Sequence, residues 1–124
     1  MKKILIIEDD RVTAHVYSSR LEKEGFEVHL AADGQSGWDL LLNLRPDGVL
    51  LDLMLPKGNG IELLKKIRAL DGFEKLPVIV YTNSFVPQLV EEAQAAGATK
   101  VFDKTTVTSP MLVLAFQQAM RSDQ

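Results

Sequence analysis

The chain has 124 residues, 46% hydrophobic and 25% charged, which suits one domain with a single core and excludes global disorder. A net charge of −3 excludes a domain-wide basic footprint, so no direct nucleic-acid partner is expected. The absence of cysteine excludes disulfides, thiolate metal sites and a cysteine nucleophile.

Ile4–Ile7 is a continuous apolar run, the pattern of a strand buried on both faces. Glu8-Asp9-Asp10 ends it after four residues, too soon for the apolar stretch of an export signal. Residues 11–24 place Ala14, Tyr17, Ser18 and Leu21 at helical spacing, with Gly25 as the stop. Phe26–Ala31 reads as a second strand, Asp33-Gly34 as a turn, and 35–44 as a second helix. After Pro46-Asp47-Gly48, Val49–Leu53 reads as a third strand. Pro56-Lys57-Gly58-Asn59-Gly60 is a loop, without the Gly-Lys-Ser/Thr of a nucleotide-binding Walker loop. Residues 61–70 form a third helix through Ile61, Leu64 and Ile67. Val78–Thr82 is a fourth strand, 87–96 a fourth helix closed by Gly97, and Lys100–Lys104 a short fifth strand. Residues 110–121 form a last helix with Pro110 in its first turn. The longest uncharged run, 105–120, is too short and too polar to span a bilayer, so a cytoplasmic protein without membrane attachment is expected.

Five strand–helix alternations predict an α/β fold with a parallel sheet and helices on both faces. The functional crevice of such sheets lies at the carboxyl ends of the strands. Those ends carry Glu8, Asp9 and Asp10, then Asp52, then Thr82 and Asn83, then Lys104. Glu8, Asp9 and Asp52 meeting at one edge would repel one another unless a cation or a raised pKa relieved them. A hard divalent ion such as Mg²⁺ suits an all-oxygen site of this kind. Lys104 adds a point positive charge, and the Thr82 hydroxyl can donate to an anionic oxygen. Asp52 lies between Val49-Leu50-Leu51 and Leu53-Met54-Leu55, where a charge is costly unless paired or ligated. A carboxylate there can act as a nucleophile towards phosphorus.

In order and spacing, several segments match one family: Ile4-Leu5-Ile6-Ile7-Glu8-Asp9-Asp10, Pro46 to Pro56 around Asp52, Asn59-Gly60, Pro77-Val78-Ile79-Val80-Tyr81-Thr82, Gly97-Ala98 and Lys104. Over essentially its whole length, 1–124, the chain resembles the receiver domain of two-component response regulators, which includes the single-domain chemotaxis regulators. The resemblance implies a doubly wound, flavodoxin-like sheet of five parallel strands in the order 2-1-3-4-5, with five helices. It implies that Asp52 is the phosphoacceptor and that Asp9 binds Mg²⁺ directly, with Glu8 assisting through water. The Met54 carbonyl is implied as a further ligand, Lys104 as the partner of the phosphoryl group, and Thr82 as the hydroxyl that switches the domain. The implied donor is a sensor histidine kinase or a histidine phosphotransfer protein. The implied output is a downstream protein or an attached output domain, with a phosphorylation-dependent homodimer as one form of it. Such a domain is a self-phosphorylating, self-dephosphorylating switch more than a turnover enzyme.

The chain departs from the family at two places. Val101 stands three positions before Lys104, where an aromatic residue is usual, and the adjacent Phe102 is expected on the opposite face. Thr105 follows Lys104 where a cis proline is usual, and a non-proline bond is expected trans. Met54, two residues after Asp52, is expected to screen attacking water and slow self-hydrolysis. These departures leave an alternative, a pseudo-receiver that binds proteins without phosphoryl chemistry. A Mg²⁺ phosphatase with an aspartyl nucleophile ranks last, because its second Asp would stand where Met54 does. His15 and His29 share no ligand pattern, and Trp38 reads as helix packing.

Overall fold

The computed structural model describes residues 1–56 and 58–121. Five strands alternate with five helices: β1 (Lys3–Ile7), α1 (Arg11–Lys23), β2 (Glu27–Ala31), α2 (Gly34–Leu44), β3 (Gly48–Asp52), α3 (Gly60–Arg68), β4 (Val78–Thr82), α4 (Pro87–Ala95), β5 (Lys100–Asp103) and α5 (Ser109–Arg121). All strand pairings are parallel, in the order β2-β1-β3-β4-β5. This is the expected doubly wound, flavodoxin-like sheet. Among the described residues, no helix is long and apolar enough to cross a membrane.

Strand alternation sorts the core into two layers. Leu5, Ile7, Val49, Leu51, Val78 and Val80 pack with Leu41 of α2, Ile61, Leu64 and Ile67 of α3, and Ala93 of α4. Ile4, Ile6, Leu50, Ile79 and Tyr81 pack with Tyr17 and Leu21 of α1 and with Leu112, Val113 and Phe116 of α5. Val101 belongs to the first layer and Phe102 to the second, so the two neighbours do face opposite ways. β1, β3 and β4 are interior and almost fully buried, whereas β2 is an edge strand with Leu30 46% exposed.

The helices begin where short polar side chains satisfy the free amides of the first turn. Asp10 accepts from the Val12 amide (3.2 Å), Asp33 from Ser36 (2.8 Å) and Asn59 from Ile61 (2.9 Å). Asp33-Gly34 is therefore a helix start and not a separate turn. The expected boundaries move by one or two residues elsewhere: Phe26 precedes β2, β3 ends at Asp52, and α3 ends at Arg68. Lys104 lies one residue past β5. Gly97 takes a φ of +105°, as a glycine closing a helix can.

At the start of α3 the Gly60 amide donates to the Leu53 carbonyl (3.1 Å), and a Cβ on Gly60 would stand 2.5 Å from the Leu53 Cα. Only glycine lets this helix approach the chain leaving Asp52 so closely.

Candidate functional site

The pleat that sorts the core also builds the site. Continuing past Ile4 and Ile6, the next residue on the α1/α5 side is Glu8, just beyond the end of β1. The corresponding residues are Asp52 after Leu50, Tyr81 after Ile79, and Lys104 after Phe102. The register sets Asp52 directly opposite Tyr81. Four polar side chains thus converge at the carboxyl edge of β1, β3, β4 and β5.

Lys104 Nζ lies 2.7 Å from Glu8 Oε1 and 2.9 Å from Asp52 Oδ2. Tyr81 donates its hydroxyl to the same Glu8 Oε1 at 2.5 Å, and the Asp10 amide donates to Glu8 Oε2 at 3.0 Å. Asp52 Oδ1 accepts the Met54 amide at 3.0 Å. Glu8 is 3% exposed and Asp52 is 2% exposed, so both acids are held in a largely dry edge. Their environments differ. Burial pushes the Asp52 carboxyl up, and the bonds from Lys104 and Met54 offset this only in part. Burial also pushes Glu8 up, but three donors, Lys104, Tyr81 and the Asp10 amide, outweigh it and hold Glu8 below the usual range. Burial lowers Lys104, yet its two carboxylate partners leave it above the ordinary lysine value. The Tyr81 hydroxyl is raised by burial and by the Glu8 carboxylate, and stays protonated.

Asp9 is exposed at the rim, and ligand oxygens of Glu8, Asp9 and Asp52 all lie within 4.8 Å of one another. An all-carboxylate set of this spacing fits a hard divalent cation. Asp10, the third acid of the run, is instead occupied as the cap of α1, with a second bond from the Thr13 hydroxyl (2.7 Å). A cleft of about 460 Å³ opens beside Asp9 and the half-exposed Met54, bounded opposite by Leu89 of α4.

Thr82 is fully buried, and its hydroxyl accepts the Ser84 amide at 3.0 Å. It is tied to the loop after β4 and not to the acids. The Lys104–Thr105 bond is trans. The turn that a proline would otherwise shape is made by Asp103, whose carboxylate accepts both the amide (2.9 Å) and the hydroxyl (2.6 Å) of Thr105. The Lys104 amide donates to the Thr82 carbonyl (2.9 Å), which fixes the lysine's root at the sheet edge.

Tyr81 is a site residue that strand-end reasoning misses, because it stands one position before the end of β4. The signal for it is the two-residue alternation from Ile79 together with its place beside Asp52. His15 is exposed on α1, while His29 pairs with Glu27 (2.7 Å) on the edge strand, so neither joins the site. Trp38 is half-buried, with the Lys66 ammonium 4.2 Å above its ring.

Residues 4–115 match the response regulator receiver domain family, and the chain belongs to that family. It is 39% identical, over its whole length, to the DNA-binding dual master transcriptional regulator RpaA of a Synechocystis strain, of which it spans 52%. It is 34% identical to sporulation initiation phosphotransferase F of Bacillus subtilis, over 83% of this chain and 82% of that protein. Among solved structures, a CheY-like response regulator receiver domain protein from Methanospirillum hungatei superposes with a TM-score of 0.91 at 28% identity, covering 98% of this chain and 95% of the other. The chain spans about half the length, or less, of several curated relatives it matches. The pseudo-receiver alternative finds no support: the acidic pocket is intact, and Lys104 is paired within it.

Proposed function

We propose that the chain, read as one receiver domain over 1–124, accepts a phosphoryl group on Asp52. The donor is the phosphohistidine of a sensor histidine kinase or of a histidine phosphotransfer protein. An Asp52 oxygen attacks phosphorus, the phosphorus–nitrogen bond breaks, and the imidazole leaves and takes a proton. The product is an acyl phosphate on Asp52, which water later cleaves to phosphate and the free carboxylate. Asp9 and Asp52 would hold Mg²⁺ with Glu8 assisting through water and the Met54 carbonyl as a further ligand. When bound, the ion neutralises charge on the transferring oxygens. Lys104 pairs with the phosphoryl group, and Asp52 is oriented by its bond from the Met54 amide.

The observation that carries this reading is the buried Asp52 carboxylate, bonded to Lys104 and clustered with Glu8 and Asp9. A nucleophile held dry beside one cation and two further acids suits in-line attack on an anionic phosphorus centre. The name of the Bacillus subtilis relative, a phosphotransferase, supports the same chemistry. Met54 at the rim would screen Asp52 from water and lengthen the phosphorylated lifetime. Thr82 would couple phosphorylation to the loop after β4, and so to a downstream protein, an attached output domain or a second copy of the chain. A net charge of −3 favours output through protein contact over direct nucleic-acid binding, in the cytoplasm.

The test is intact mass after incubation with Mg²⁺ and acetyl phosphate. A gain of one phosphoryl group that disappears in Asp52→Asn, and also without Mg²⁺, supports the reading. A folded, Mg²⁺-binding chain that gains nothing from acetyl phosphate or from a phosphohistidine donor overturns it.

A further inference from the structure

Lys104 has two partners and one position. It bridges Glu8 Oε1 and Asp52 Oδ2, and a phosphoryl group on Asp52 would draw it away from Glu8. Glu8 is 3% exposed, so a departing lysine would leave a buried carboxylate short of a donor. A second donor is already on that same oxygen, the Tyr81 hydroxyl at 2.5 Å.

The two donors differ in freedom. Lysine carries its charge on a flexible four-carbon stem. The Tyr81 ring is fully buried in the α1/α5 layer, with the Tyr17 ring 5.8 Å away, and cannot follow the phosphoryl group. We propose that Tyr81 is a positioning residue for Glu8: its fixed hydroxyl keeps that carboxylate in the cluster with Asp9 and Asp52 while Lys104 turns to the phosphoryl group. The inference rests on the phosphoacceptor reading above. It predicts that the hydroxyl matters to metal affinity, because a hydrogen bond that fixes a carboxylate of the metal cluster sets how well that cluster is presented, directly or through water.

Tyr81→Phe keeps the ring that packs and removes only the hydroxyl. Isothermal calorimetry with Mg²⁺ compares the full chain with Tyr81→Phe, with Glu8→Gln and with the double variant. The expected result is a Kd about tenfold weaker in Tyr81→Phe, and no further loss when that change is added to Glu8→Gln. A Kd within about twofold of wild type in a folded Tyr81→Phe chain, well short of the usual effect of such a change, overturns the proposal. So does a loss of the same size in the Glu8→Gln background, which marks a general structural effect.

If Tyr81→Phe fails to fold, the wild-type chain decides by proton NMR. A slowly exchanging tyrosine hydroxyl resonance that survives saturation with Mg²⁺ and beryllofluoride supports the proposal, and its loss overturns it. A wild-type chain that binds Mg²⁺ but gains no phosphoryl group counts against Asp52 as acceptor alone, because calorimetry still decides Tyr81. A wild-type chain that binds no Mg²⁺ overturns both.

Discussion

Lys104 Nζ sits 2.9 Å from Asp52 Oδ2, yet the Asp52 carboxyl is still held above the ordinary carboxylate range. The lysine is shared with Glu8 at 2.7 Å, and one cation does not offset the burial of two acids. Ionised Asp52 is therefore a source of instability in the folded chain, as the nucleophile proposed above would be.

Asp52→Asn should stabilise the protein at neutral pH, because it removes a buried charge that a shared lysine only partly offsets. The gain should read as a rise in Tm. The sign follows from linkage. A carboxyl raised on folding contributes stability below its unfolded value of 3.8 and loses it as pH rises through the folded value. The advantage of Asp52→Asn should accordingly shrink as pH falls towards 3.8, and an advantage that does not change with pH would rule out this origin. Thermal melts across that range read both.

Lys104→Met should act in the opposite direction, because Glu8 and Asp52 are left facing each other without their cation. The loss in urea unfolding is expected at about 3 kcal/mol. Mg²⁺ should restore part of it by binding the native state, at a concentration where wild type gains less. Lys104 is raised on folding, so its contribution is fully present below 10.5 and fades only as pH climbs through the higher folded value. The lysine itself therefore adds no pH dependence through the neutral range, whereas the variant should regain stability as pH falls and its unpaired acids take up a proton. A variant as stable as wild type without Mg²⁺ contradicts the geometry.

Thr82→Val removes a hydroxyl that accepts the Ser84 amide at 3.0 Å while keeping nearly the same buried shape. Stability is expected to fall by only about 1 kcal/mol, since the Ser84 amide lies in an exposed loop and finds water. Hydrogen exchange at Ser84 should quicken. Unchanged protection there would show that something other than Thr82 holds the loop.

Gly60→Ala is expected to be severe for so small a change. Its Cβ would lie 2.5 Å from the Leu53 Cα and 3.0 Å from the Asp52 carbonyl oxygen, so backbone must move. A loss of about 3 kcal/mol fits overpacking against main chain. Phosphoryl uptake at Asp52 should slow more than stability alone accounts for, read by the mass assay on the folded fraction. Uptake at the wild-type rate would mean that the loop has relaxed without disturbing Asp52.

The fold was almost wholly legible because its signals are strong and local. Apolar runs such as Ile4–Ile7 and Val78–Thr82 mark interior strands, and Gly25 and Gly97 mark helix ends. The acids and Lys104 were legible because charge at the end of an apolar strand has few structural explanations. Less legible were features that depend on a partner distant in sequence or on local side-chain chemistry. Tyr81 reads as an ordinary strand aromatic until the register sets it beside Asp52. Asp103 reads as a surface acid until its bonds to Thr105 show it shaping the turn that presents Lys104. Arg45, with φ at +45°, closes α2 where glycine is the usual choice; its guanidinium stacks 4.5 Å from the Phe73 ring centre.

Tyr81 and Thr82 are chain neighbours that the pleat sends to opposite layers, one bonded to an acid and the other to a loop amide. On the function proposed above, a single peptide bond would thus separate the residue that holds Glu8 from the one that answers to the loop after β4. On that reading a change at Tyr81 would act on metal affinity, while a change at Thr82 would act on the loop after β4. The opposed faces of one strand would then let the metal site and the reporting loop be altered separately.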